Sequence, residues 1–188
     1  CTIRLLNNTF NDFLFTLSET HDFKECIENI SDQQKMSGFS SELVLRFFAF
    51  KNDKVSFSHD IGDFLTEYME KVTLDQVSFN YEEEERNFKE TFKVLNSLWG
   101  SKIFGRLNKA KDDLQENFSV YQFEGMTLGL QDILANIDLT DETKMDYLRG
   151  RILLLKNDPD YLKSVTGGGL NSIGPLNIRI SKVTNYLT

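Results

Sequence analysis

The chain has 188 residues, a formal net charge of −8, and only two prolines against 16 phenylalanines. That length suits one compact domain with a sizeable core, and scarce helix breakers beside many large apolar side chains favour helices. The negative balance excludes broad, sequence-independent DNA binding, which draws its affinity from many Lys and Arg contacts to phosphate, while leaving room for a local basic patch.

Taken in chain order, Phe10, Phe13, Leu14 and Leu17 recur on one helical face, and Asp22 with Glu25 predicts a capping-box start for a short helix carrying Phe23, Cys26, Ile27 and Ile30. Ser40 or Ser41 is placed to cap the next helix, which carries "ELVLRFFAF", residues 42–50; "KNDKVSFSHD", residues 51–60, reads as a loop. Asp60 opens a helix with Ile61, Phe64, Leu65, Tyr68, Met69 and Val72 facing inward. A longer helix over about 80–98 carries Phe88, Phe92, Leu95 and Trp99, with Gly100 as its stop. The acidic run at 82–85 falls in its first turns, where negative charge suits the helix dipole and a solvated face is expected.

Further helices are predicted over 103–117, 120–135, 142–156 and 159–164. A last one has Pro175 in its first turn and Leu176, Ile180, Val183 and Leu187 on one face. No stretch alternates as a strand would, so the expected fold is all-α: a single domain over 1–188 of about eight or nine helices, without a regular sheet. No apolar run approaches the roughly 18 residues that span a bilayer, and no signal-peptide pattern is present, so no membrane is expected as a partner. Cys1 and Cys26 form neither a C-x-x-C pair nor a disulfide framework, which fits a cytoplasmic setting. The chain opens at Cys1 rather than at Met and reads as a piece of something longer.

Four features could carry chemistry. His21 and His59 lack any metal-ligand pattern, so no metal is expected, and Cys26 has no recognisable base, so no catalytic residue is expected. Within "TGGGLNSIGPL", residues 166–176, Gly167, Gly168 and Gly169 run into a helix start that could cradle phosphate, although no Walker-type Lys-Ser/Thr pair follows and a mobile connection explains the glycines equally well. Lys102, Arg106 and Lys109, with Lys111 close by, fall on one helical face and could touch a nucleic-acid backbone, or form a solvated face balanced by Asp112 and Asp113. Arg46 sits among seven apolar side chains, four residues after Glu42 and one helix before Asp63 and Glu67. A buried charge left without its partner costs about 3–5 kcal/mol, so these four residues predict an inter-helix ion tie.

The order of these pieces resembles the C-terminal helical region of the GmrSD-type restriction family, whose members have an N-terminal ParB/sulfiredoxin-like domain. The stretches that carry the resemblance are "TFNDFLFTL" and "DFKECI", then "ELVLRFFAF" and "IGDFLTEYM", and finally "DPDYLKSVTGGGLNS" and "IRISKV". The matching positions are Glu42, Leu45, Arg46, Phe47, Phe64, Leu65, Tyr68, Met69 and Arg179, and by residue type most are framework. The resemblance implies a prokaryotic, DNA-directed, nucleotide-dependent nuclease used against phage or modified foreign DNA. The family's D-G-Q-Q-R-like catalytic signature is absent from this sequence, as is the H-N-H-type domain of some members, so no catalytic residue carries over. What it implies here is a supporting or regulatory helical region without a cofactor of its own. Its partner would be a missing N-terminal α/β nuclease/NTPase domain that uses NTP and a divalent metal and engages DNA. The alternative is a stand-alone helical binding module for a partner protein or DNA.

Overall fold

The computed structural model describes residues 8–188, so Cys1 lies outside the described residues. They form an all-α domain of ten helices: α1 (Asn8–Ser18), α2 (His21–Cys26), α3 (Asp32–Met36), α4 (Phe39–Asp53), α5 (Ile61–Thr73), α6 (Tyr81–Trp99), α7 (Val120–Gly129), α8 (Glu142–Leu155), α9 (Pro159–Val165) and α10 (Ile173–Leu187). Among the described residues there is no sheet, only an isolated antiparallel bridge between Leu107 and Leu114, and no helix is long and apolar enough to cross a membrane.

Among the described residues, side-chain caps mark five of the ten helix starts. Asp60, Asn80, Asp141 and Asp158 each accept a backbone N–H from the first turn of the helix they precede, satisfying donors that would otherwise be orphaned. Gly100, at φ 51°, ends α6 as its sequence position predicts. The short α3 starts with a complete capping box between Ser31 and Gln34, an S-x-x-Q signature that sequence reading passed over.

Several expected boundaries move. The α2 helix follows Thr20 without a side-chain cap: the Thr20 hydroxyl donates to Leu17 O at 2.7 Å, and Asp22, already inside the helix, accepts from Asn96 Nδ2 of α6 at 2.8 Å. The α4 helix starts at Phe39 behind Gly38, which takes φ 79°, so neither Ser40 nor Ser41 caps it. It also runs on to Asp53 and into a 3₁₀ turn over Lys54–Ser56, through what reads as loop. The α7 helix ends at Gly129 rather than near 135.

The largest departure is at 103–117, where no helix forms. The chain doubles back there: Asn108 N–H donates to Asp113 O at 2.9 Å and Gln115 N–H to Arg106 O at 2.8 Å. Gly105 allows the fold-back, since a Cβ on it would stand 2.0 Å from Gln115 O.

One apolar core runs through the domain. Two helices are buried along most of their length, α4 over residues 43–50 and α7 over residues 122–129, as expected of helices apolar on more than one face. Rings carried by α6 link them: Phe47 stands edge-on to Phe88 at 5.5 Å, Phe88 meets Phe92 at 4.5 Å, and Phe92 stacks on Phe123 at 6.0 Å between centroids. Gly125 and Gly129, one turn apart on α7, face α10. A Cβ on Gly129 would lie 2.5 Å from Val183 Cβ and 2.7 Å from Ile180 O, so the two backbones approach as only glycine permits.

Candidate functional site

Two side chains on α7, Gln122 and Glu124, are buried and polar. Two residues apart on a helix they point to nearly opposite sides, and each receives a buried cation from elsewhere in the chain.

Glu124 joins α4 to α10. Its Oε1 accepts from Arg46 Nη1 at 3.0 Å and its Oε2 from Arg179 Nη2 at 2.6 Å. Arg46 also donates through Nε and Nη2 to Glu42 Oε1 at 3.0 and 2.8 Å, so two guanidinium groups meet two carboxylates. Arg179 Nη1 reaches further, donating to Ser164 O at 3.0 Å and Leu170 O at 3.3 Å, and its guanidinium lies 4.8 Å over the Tyr121 ring. Burial lowers the pKa of Arg179 and Glu124 counters it; burial also pushes the Tyr161 phenol up, with Arg179 opposing.

The expected partners of Arg46 on α5 are corrected by this geometry. Glu42 is bonded, but Asp63 and Glu67 are exposed and Arg46 turns to α7 instead. Between α4 and α5, Asp53 takes Lys71 Nζ at 2.5 Å and Asn52 Nδ2 donates to the Tyr68 hydroxyl at 3.1 Å, beside an apolar part in which Phe50 stacks on Phe64 at 5.1 Å and stands edge-on to Phe57 at 5.1 Å. A guanidinium placed among those rings would lose its water without gaining a hydrogen bond.

Gln122 faces a third buried cation, which sequence reading missed. Lys156, just beyond α8, is 2% exposed. Its ammonium donates to Ile103 O at 2.8 Å, to Gly105 O at 2.7 Å and to Gln122 Oε1. Burial pulls its pKa down to about 7. The position reads in sequence as an ordinary helix-end lysine, and no local pattern announces that the chain at 103–105 comes back to cover it.

The other candidate residues are scattered or engaged. Lys102 lies in a 3₁₀ turn (Gly100–Lys102) and pairs with Asp113 at 2.8 Å, a bond that raises the lysine pKa and lowers that of the aspartate. Arg106, Lys109 and Lys111 are exposed on the doubled-back loop, Lys111 at φ 64°, so the four cations do not share a helical face. Gly167, Gly168 and Gly169 form an exposed turn between α9 and α10, with φ 118° and 73° at the first and third. Arg179 ties this turn at both ends through Ser164 O and Leu170 O.

The acidic run also departs from a fully solvated face: Glu84 is buried, its carboxylate taking Lys51 Nζ at 3.0 Å on both oxygens and Asn52 Nδ2 at 2.9 Å. Cys26 is buried against Phe92 O, and burial pushes its thiol up. His21 lines a shallow cleft of about 300 Å³ with Asp22, Lys89 and Lys93. Among the described residues, no group of three or more His, Cys, Asp or Glu could hold a metal ion.

No family model matches the chain, and neither a curated protein nor a solved structure matches it.

Proposed function

We propose that this chain is a supporting or regulatory helical domain of a larger, cytoplasmic, GmrSD-like defence nuclease of prokaryotes, and that it has no catalytic activity itself. In this reading the chemistry, with its NTP, divalent metal and DNA, belongs to an N-terminal nuclease/NTPase domain. One observation supports it above the others. The two arginines in the stretches that carry the resemblance, Arg46 in "ELVLRFFAF" and Arg179 in "IRISKV", close on the same carboxylate, Glu124. Those stretches act together as framework, which is the part a supporting domain has to play.

The test compares this fragment with the protein encoded by the full reading frame. The fragment is expected neither to hydrolyse nucleotide nor to cleave DNA in the presence of Mg²⁺, and the longer protein is expected to do one or both. Robust turnover by the fragment, or an upstream frame without a D-G-Q-Q-R-like α/β domain, overturns the proposal.

A second reading, a stand-alone module that binds DNA or a partner protein, has one observation in its favour: Arg106, Lys109 and Lys111 are exposed on a single loop. Its DNA version requires salt-sensitive retention of DNA that is lost on charge reversal at these three positions.

A further inference from the structure

Lys156 lies in a cage of neutral oxygens. An ammonium has three donors and no acceptor, and its three partners here, Ile103 O, Gly105 O and Gln122 Oε1, use all three. A neutral amine has two donors and one lone pair. The two carbonyls can take those two donors, and Gln122 is the one partner able to change sides, because turning its amide presents an N–H to the lone pair. The cage therefore satisfies either form, and hydrogen bonding does not choose between them.

Desolvation does choose. None of the charged or titratable groups on the surrounding elements bonds to Nζ. Beside the two carbonyls, Lys102 is held by Asp113 and Arg106 is exposed; Glu116, on the returning strand of the loop, is exposed. On α7, Glu124 is held by two arginines. On α8, Arg149 is bonded to Leu98 O and Arg151 to Tyr186 O. Asp158 caps α9, the Tyr161 hydroxyl has no protein partner, and Arg179 belongs to Glu124. A buried charge without a counter-charge is unfavourable, and it is relieved either by losing the proton or by moving the cover away.

We propose that Lys156 makes the loop of residues 103–119 a proton-operated gate, closed over the neutral amine and loosened when the amine takes up a proton. The depressed ammonium pKa agrees in sign: a lysine uncovered by loop opening binds protons more tightly than the covered one, so protonation favours the open form. The loop carries the exposed Arg106, Lys109 and Lys111, so the gate controls how this cationic segment is held. The inference rests on the Lys156 cage alone and stands whether or not the proposed function does.

The experiment is amide hydrogen exchange on the whole chain between pH 6.5 and 9, under conditions where reclosing outpaces exchange and with rates corrected for intrinsic chemistry. The reporters are the loop amides of Gly105, Asn108 and Gln115, all hydrogen-bonded in the closed loop. Their protection should rise by up to about tenfold per pH unit above neutrality, the slope for one proton released on closing, while α7 amides change less. The rise should vanish in Gln122→Glu, whose carboxylate keeps the ammonium charged when covered, and in Lys156→Met. Flat protection in the parent, or an equal rise in Gln122→Glu, overturns the proposal. Should Lys156→Met fail to fold, the ¹³Cε resonance of Lys156 in the parent is followed beside the loop protection: a rise in protection that begins where that resonance titrates, near neutrality, upholds the gate, and titration near the ordinary lysine value of about 10.4 overturns it.

Discussion

Glu124→Gln tests the architecture most directly, because it keeps the side chain's shape and removes only the negative charge between two arginines. The consequences for the two arginines differ. Arg46 retains Glu42, whose side chain is 38% exposed, whereas Arg179, with a side chain 1% exposed, is left with two backbone carbonyls and the Tyr121 ring. Breaking a buried pair from one side costs about 3–5 kcal/mol. For a domain of this size each kcal/mol corresponds to about 2–4 °C in Tm, so the expected drop is about 6–20 °C.

Glu42→Gln, which removes only a half-exposed pair within α4, should cost about 0.3–0.5 kcal/mol and under about 2 °C. Thermal unfolding followed by circular dichroism, with urea denaturation as an independent check, separates the two. Arg46→Ala should likewise loosen α4 from α7 and not from α5, because the bonds of Arg46 go to Glu42 and Glu124. A Glu124→Gln variant melting within about 2 °C of the parent would refute the view that this carboxylate holds α4 and α10 together. Replacing Arg46, Glu124 and Arg179 together by apolar residues is expected to recover much of the loss, since a well-packed apolar triad often equals a buried ionic one.

The close approach of α7 and α10 predicts that Gly129→Ala, whose Cβ would meet Val183 Cβ and Ile180 O, forces the helices apart and costs about 1–3 kcal/mol or more, visible as a lower urea midpoint with an unchanged slope. At Asp158, burial would raise the carboxyl pKa, but bonds from the Tyr161 amide, Lys182, Tyr186 and the Asp160 amide outweigh it and hold the pKa at about 2. This stability is present above the unfolded value of about 3.9 and is lost as the pH falls towards 2. Acid unfolding should therefore become shallower in Asp158→Asn over that window. Lys156 contributes with the same sign in a higher window: the unfolded chain holds its proton to higher pH, so between about pH 7 and 10 the parent should gain stability relative to Lys156→Met. Urea midpoints compared across that range give the sign, and a parent that gains nothing over the variant contradicts it.

Most of the fold was legible where the information is local. The cap at Asp60, the starts of α8 at Glu142 and α9 at Pro159, the stop at Gly100 and the inward faces of α5, α6 and α10 each depend on residues within about one turn, which is the range over which side chains meet backbone on a helix. The same reasoning failed at 103–117. There the spacing of Lys102, Arg106 and Lys109 suits a helix, but Gly105 lets the chain close on Gln115, and the buried Lys156 Nζ donates to the carbonyls of Ile103 and Gly105. A tertiary contact overrode a local periodicity, as a weak propensity allows.

The candidate site was legible only in part. That Arg46 needed a counter-charge followed from its apolar neighbours, and Glu42 followed from its position four residues earlier. Glu124 did not follow, nor did Arg179 as its second partner, nor the burial of Lys156. The sequence by itself determined the helical class, most helix starts and the apolar faces, because these follow from backbone capping and a repeat of 3.6 residues. Only the tertiary structure decided which charges meet, because burying an ion is acceptable only where the packed chain delivers a partner, and those partners come from helices far apart in sequence.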